Sequence, residues 1–194
     1  DQEVNVTMTM GIATYPRDGS RADDLLSHAD PAMYPCKRTG RGRFEFFAPW
    51  MNERAERRLA IESDLRRAIQ QGELILYYQP KVSIGTGRVV AMEALLRWSH
   101  PGRGMIPPNE FIPFAEESGM IDELGMWVLD EACRQNRAWI DSGLLRAPVA
   151  VNWSPSQLYR AGMVDRVADV LLATGLPPEY LEFELTETAL ATRP

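Results

Sequence analysis

The chain has 194 residues, of which 45% are hydrophobic and 25% charged, the profile of a globular protein rather than of a disordered one. Its 27 acidic and 21 basic side chains give a formal charge of -6, which argues against duplex nucleic acid as a partner and leaves divalent cations as natural ones. No run approaches the ~18 apolar residues of a membrane span, no basic-then-apolar signal pattern opens the chain, and a cytoplasmic segment is expected. Cys36 and Cys133 lie far apart without a CxxC partner, so they are read as structural thiols.

The stretch VNVTMTMGIATYP alternates as a strand does, although it starts within a few residues of Asp1, and the first unit reads as a domain that has lost its front. SRADDLLSHADPAMY follows with Ala22, Leu25, Leu26 and Ala29 at helical spacing behind a serine cap, and RFEFF reads as a closing strand. This first unit is expected to span residues 1–48. A connecting helix is predicted over 49–71, with Ile61, Leu65, Ala68 and Ile69 on one face among charges of alternating sign.

The pattern changes after Gly72. LILYYQPKVSI and RVVAMEALLRW read as two strands of an antiparallel hairpin around the tight GTG turn. FIPFAEES and MIDELGMWVLDEACRQNRAWI are predicted helices, VAVNW a strand, SPSQLYRAGMVDRVADVLLATG one helix, and LEFELTE a strand. Strands alternating with helices predict right-handed βαβ units, and hence an α/β fold with a parallel sheet.

In such folds reactive groups gather at the carboxyl ends of the strands. Period-two alternation sets Glu93 on a face with Leu95 and Arg97, Asn152 with Ala150 and Ser154, and Glu184 with Glu182 and Thr186. Two carboxylates and a carboxamide, with no His or Cys beside them, make a hard-oxygen set suited to Mg²⁺ or Mn²⁺. A cation would offset the cost of an ionised Glu93 in an apolar strand, and Arg97 could meet an anionic ligand. Plainer readings stand beside this one. A strand glutamate can face solvent, and Asn152 can form a turn ahead of a helix capped by Ser154. His28 and His100 have no second ligand at metal-binding spacing and are expected at the surface or in loops. Trp98, Trp127, Trp139 and Trp153 read as core rather than as a base-stacking platform.

YYQPKVSI, GRVVAMEALLRWSHP, PPNEFIPFAEESGMIDELGMWVLDEACRQ, VAVNWSPSQL and LEFELTE together resemble the first half of an EAL domain, the family of cyclic di-GMP phosphodiesterases. VTMTMGIATYP, ADPAMYPCK and TGRGRF resemble the end of a GGDEF domain, the diguanylate cyclase family. The resemblance implies the junction of a tandem GGDEF-EAL protein of bacterial second-messenger signalling. Residues 72–194 would then form part of a TIM-like (β/α) barrel, about four of its eight strands, with an antiparallel first hairpin.

By resemblance, Glu93, Asn152 and Glu184 match metal ligands for Mg²⁺ or Mn²⁺, and Gln79 and Arg97 match substrate-contacting positions. Glu187 matches the glutamate that braces a catalytic loop, so Glu93 and Glu187 are the catalytic candidates. Lys37 and Arg41 match the phosphate-contacting pair of the GGDEF domain. The implied activity is hydrolysis of cyclic di-GMP to the linear dinucleotide by the longer protein, with this segment inactive alone. A cyclic di-GMP receptor without turnover and a dimerisation scaffold are the alternatives, and a homodimer through the EAL domain is an expected assembly.

Overall fold

The computed structural model describes residues 7–39 and 42–185, and divides the chain into one unit up to Ile61 and a second from Glu62. In the first unit, strand β1 (Met10–Ile12) pairs in parallel with β2 (Phe44–Phe46), and helix α1 (Ala22–Thr39) packs against both. A Cβ on Gly11 would lie 1.9 Å from the Ala29 carbonyl oxygen, so glycine is what lets β1 press against α1. Ala32, Phe47 and Met51 form the small core, and the His28 ring stacks on Phe47 at 4.2 Å. The expected loop histidine is therefore an aromatic packing residue.

Helix α2 (Trp50–Gln71) buries Met51, Ile61, Leu65 and Ala68 and stops at Gly72, whose φ of +71° suits glycine. In the second unit, β3 (Leu74–Val82) and β4 (Val89–His100) form the antiparallel hairpin. Their connection covers six residues, Ser83 to Arg88, rather than the GTG triplet alone, and the register shifts between Lys81 and Val82. A short strand β5 (Gly104–Ile106), which no periodicity announced, folds back on the end of β4.

Helices α3 (Pro108–Ser118) and α4 (Ile121–Asp141) lead to β6 (Val149–Asn152), which lies parallel to β4. The segment expected as one helix is two, α5 (Pro155–Leu158) and α6 (Met163–Thr174). Gly162 at φ +75° breaks them, a left-handed conformation that ends helical hydrogen bonding. Strand β7 (Leu181–Glu184) then adds in parallel to β6. The order β3-β4-β6-β7, antiparallel then parallel, is the mixed α/β sheet expected, and the described strands leave it open.

One sheet face carries Leu76, Tyr78, Ala94, Leu96, Val149, Val151 and Leu181 into a core with Val128, Leu129, Ala132 and Cys133 of α4. Burial, reinforced by Asp130, pushes the Cys133 thiol up to about 12, as expected of a structural cysteine. Buried Asn136 of α4 donates through Nδ2 to the carbonyls of Ala147, at 3.2 Å, and Tyr180, at 3.0 Å, fixing the entries of β6 and β7.

The end of β4 is pinned to α2 and to the residues that follow it. Trp98 is fully buried and its Nε1–H donates to Glu73 at 3.0 Å. His100 Nδ1 accepts from the backbone N–H groups of Gly102 and Arg103, both at 3.1 Å, so the remaining proton sits on Nε2 and points to Asp64 at 3.3 Å. His100 is thus a half-buried tie rather than a surface residue. Among the described residues, no helix is long and apolar enough to cross a membrane.

Candidate metal and substrate site

The other face of the same sheet carries the polar residues. Gln79 of β3 stands opposite Glu93 of β4, Glu93 is in register with Ala150 of β6, and Asn152 of β6 is in register with Glu184 of β7. Partners across a ladder share a face, so Gln79, Glu93, Asn152 and Glu184 project from one surface at successive strands. Asn152 Nδ2 donates to Glu93 Oε1 at 2.9 Å, which brings the side chains of β4 and β6 into direct contact. On β7, Glu184 Oε1 accepts a charged hydrogen bond from Lys81 Nζ of β3.

Lys81 was not among the expected site residues. It lies two positions beyond Gln79 and shares its parity, so alternation sets it on the same face, but only its partner on β7 brings it into the site. Tyr77 is a second addition. Arg97 donates from Nη1 to its neighbour's carbonyl, Leu96, at 2.7 Å and holds its guanidinium 5.6 Å from the centre of the half-exposed Tyr77 ring. That contact sets Arg97 beside Tyr77 on the polar face and leaves its other N–H groups to meet an anion such as a phosphate.

The turn after Asn152 fixes its position. Ser154 and Gln157 cap α5 reciprocally: Ser154 N–H donates to Gln157 Oε1 at 3.0 Å, and Gln157 N–H donates to Ser154 Oγ at 3.4 Å. Gln157 Nε2 also donates to Ile121 O at 2.7 Å, tying this turn to α4. Of the plain reading of this turn the Ser154 cap holds, whereas Asn152 closes β6 and spends its side chain on Glu93 rather than on a turn. Trp153 points to the opposite face, where it meets Phe183 at 5.1 Å.

Gly125 of α4 makes the tie to Gln157 possible, since a Cβ there would fall 1.9 Å from Gln157 Nε2. Gly125→Ala is expected to cost about 2 kcal/mol in urea unfolding, as overpacking of a closed contact does. Adding Gln157→Ala should recover part of that loss in a double-mutant cycle. A single variant as stable as the parent would show that the contact yields freely.

A cavity of about 270 Å³ opens beside this face at the carboxyl ends of β4 and β6, lined by Arg97, Asn152, Ser154 and Gln157 together with Ile112 and Leu124. It shares Arg97 and Asn152 with the polar row but not Glu93 or Glu184. Among the described residues no group of three or more His, Cys, Asp or Glu assembles, because the row holds two carboxylates and an amide. The chemistry of that donor set, all oxygen and partly exposed, fits a hard divalent cation.

Glu187 and Arg41 lie outside the described residues, as does the side chain of Lys37, whose backbone falls in α1.

The EAL domain profile matches residues 62–194, and the diguanylate cyclase, GGDEF domain profile matches residues 1–43. The chain is 46% identical over 186 residues to a bifunctional diguanylate cyclase/cyclic di-GMP phosphodiesterase, MucR, of Pseudomonas aeruginosa, covering 96% of this chain and 27% of that protein. It is 42% identical to the cyclic di-GMP phosphodiesterase NbdA of the same organism, covering 95% of this chain and 24% of the relative. The chain thus spans about a quarter of the length of these curated relatives. A solved structure described as the PaMucR phosphodiesterase in complex with c-di-GMP superposes with a TM-score of 0.65 at 46% identity, covering 69% of this chain and 54% of that one. With the EAL profile matching most of its length, and doing so over the strands that carry the polar row, the chain belongs to the EAL domain family.

Proposed function

We propose that this chain is part of a cyclic di-GMP phosphodiesterase, a hydrolase that opens one phosphodiester of the cyclic dinucleotide to give the linear form. The observation that carries the reading is the row Gln79, Glu93, Asn152 and Glu184 on one face of adjoining strands, with Arg97 beside Tyr77 on that face. Relatives named for this activity support it. The preceding GGDEF segment, matched over residues 1–43, fits a tandem signalling protein, and we place its boundaries with the linker helix near residues 48 and 72. Cytoplasmic residence and a homodimer through the EAL domain belong to the same reading.

EAL phosphodiesterases are metal-dependent, and we assign the cation to Glu93, Asn152 and Glu184, with Mg²⁺ or Mn²⁺ as the expected occupant. When bound, such an ion stabilises charge on phosphoryl oxygens and lowers the pKa of water. The remaining work falls to the chain. Glu93 and Glu184 supply negative charge at fixed strand positions, and the amide of Asn152 orients Glu93 through its hydrogen bond. Arg97, steadied by Tyr77, would hold a phosphate oxygen, and Gln79 would contact the substrate beside Glu93. Glu187 would brace the loop after β7.

We place turnover in a longer protein that contains this chain, and expect the segment alone to be inactive. The test is incubation of each with cyclic di-GMP and Mg²⁺ or Mn²⁺, followed by chromatography. Linear dinucleotide from the longer protein supports the proposal, whereas an unchanged ring in the presence of metal contradicts it. One observation favours a second reading. Glu93 bonds to Asn152 and Glu184 to Lys81, partners supplied by the chain itself, and a receptor that binds without turnover would use the same polar face. Tight calorimetric binding of cyclic di-GMP with Mg²⁺ present and no turnover would favour the receptor.

A further inference from the structure

We propose that Lys81 is the resident counter-cation of this site, holding Glu184 in place when no metal is bound and leaving when one enters. The inference rests on the proposed assignment of Glu184 as a ligand. Lys81 is paired with Ala91 across the hairpin, so it lies on the face of Gln79 and Glu93. From there it spans to β7, three strands away in the sheet order, and its ammonium meets Glu184 Oε1.

Two cations occupy the paired positions of this face, Lys81 and Arg97. Arg97 is committed to the Leu96 carbonyl and the Tyr77 ring. Lys81 is therefore the group that neutralises Glu184, while Glu93 is satisfied by the uncharged amide of Asn152. The two ends of the ion pair are 36% and 35% exposed, so solvent ions reach it.

An ammonium seated on Glu184 Oε1 takes one of the lone pairs that a divalent ion would use and repels that ion at such separation, so the two cations compete for the carboxylate. Uptake of metal at Glu184 is then an exchange of cations rather than the filling of a vacancy. The lysine suits this work: it is a point charge on a flexible four-carbon stem, rooted where the hairpin register slips, and it can swing to solvent at little cost. A guanidinium would bind the carboxylate in a fork and release it less readily.

Titration with Mn²⁺, followed by the electron paramagnetic resonance signal of the free ion, tests this on the longer protein that contains this chain, with circular dichroism confirming that each variant folds. Lys81→Met should bind Mn²⁺ more tightly, by about tenfold, and show a larger metal-induced rise in melting temperature. Lys81→Arg should bind no more tightly than the parent, and Glu184→Gln should lose most of the affinity. If Lys81→Met matches or falls below the parent while Glu184→Gln still loses binding, the counter-cation role is wrong and the metal site stands. If neither the parent nor Lys81→Met takes up Mn²⁺, or if Glu184→Gln binds like the parent, the ligand assignment itself fails and this inference goes with it.

Discussion

Glu93→Gln in the longer protein is expected to lower the rate of cyclic di-GMP ring opening by about a thousandfold or more, while its melting temperature stays within a few degrees of the parent's. Glutamine keeps the shape of the side chain and an oxygen able to accept from Asn152 Nδ2, so the contact between β4 and β6 survives. What it removes is one negative charge at the centre of the polar row, between Gln79 on β3 and Asn152 on β6. A cation held by two carboxylates and an amide loses half of its ionic ligation with that single change. Asn152→Asp should behave differently, adding charge to the row while discarding the donor that orients Glu93. Steady-state assays with a linear-dinucleotide standard check both. A Glu93→Gln enzyme that retains more than a tenth of parental turnover would mean that the charge on this strand does not serve the chemistry.

Asn136→Asp is expected to be the most damaging single substitution in the scaffold, costing about 3–5 kcal/mol of unfolding free energy. Asn136 is wholly buried and donates twice, to the carbonyls of Ala147 and Tyr180. Aspartate of equal size would set a carboxylate against two carbonyl oxygens, leaving both without a donor and burying a charge with no partner. The damage should spread to the site, because these carbonyls flank the entries of β6 and β7, which end in Asn152 and Glu184. Urea unfolding at neutral pH measures it. Partial recovery on acidification is expected, since protonation of a buried aspartic acid removes the charge. A variant within 1 kcal/mol of the parent would show that Asn136 is dispensable.

The polar row was legible because strands impose a strict period of two, and a single face assignment follows from any correctly placed strand. Glu93, Asn152 and Glu184 were set on their faces that way, and the register places them on one surface. Lys81 escaped because a lysine in a strand reads as solvated until its partner is known, and that partner lies 103 residues further on. His100 escaped for the same reason: its tie to Asp64 joins elements 36 residues apart. The break between α5 and α6 depends on the left-handed backbone of Gly162, in a stretch whose apolar spacing continues smoothly through it. Short β5 had too few residues to carry a period. Patterns report which way a residue faces along its own element, whereas ion pairs and ties between distant segments are set by the packing of the whole chain.

The most direct measurement is the position of Mn²⁺ in crystals of the protein, located by its anomalous scattering. The account predicts a peak about 2.2 Å from oxygens of Glu93, Asn152 and Glu184, with the Lys81 ammonium withdrawn from Glu184. A manganese site elsewhere on the surface, with Asn152 still bonded to Glu93 and Lys81 still seated on Glu184 at saturating metal, would contradict it.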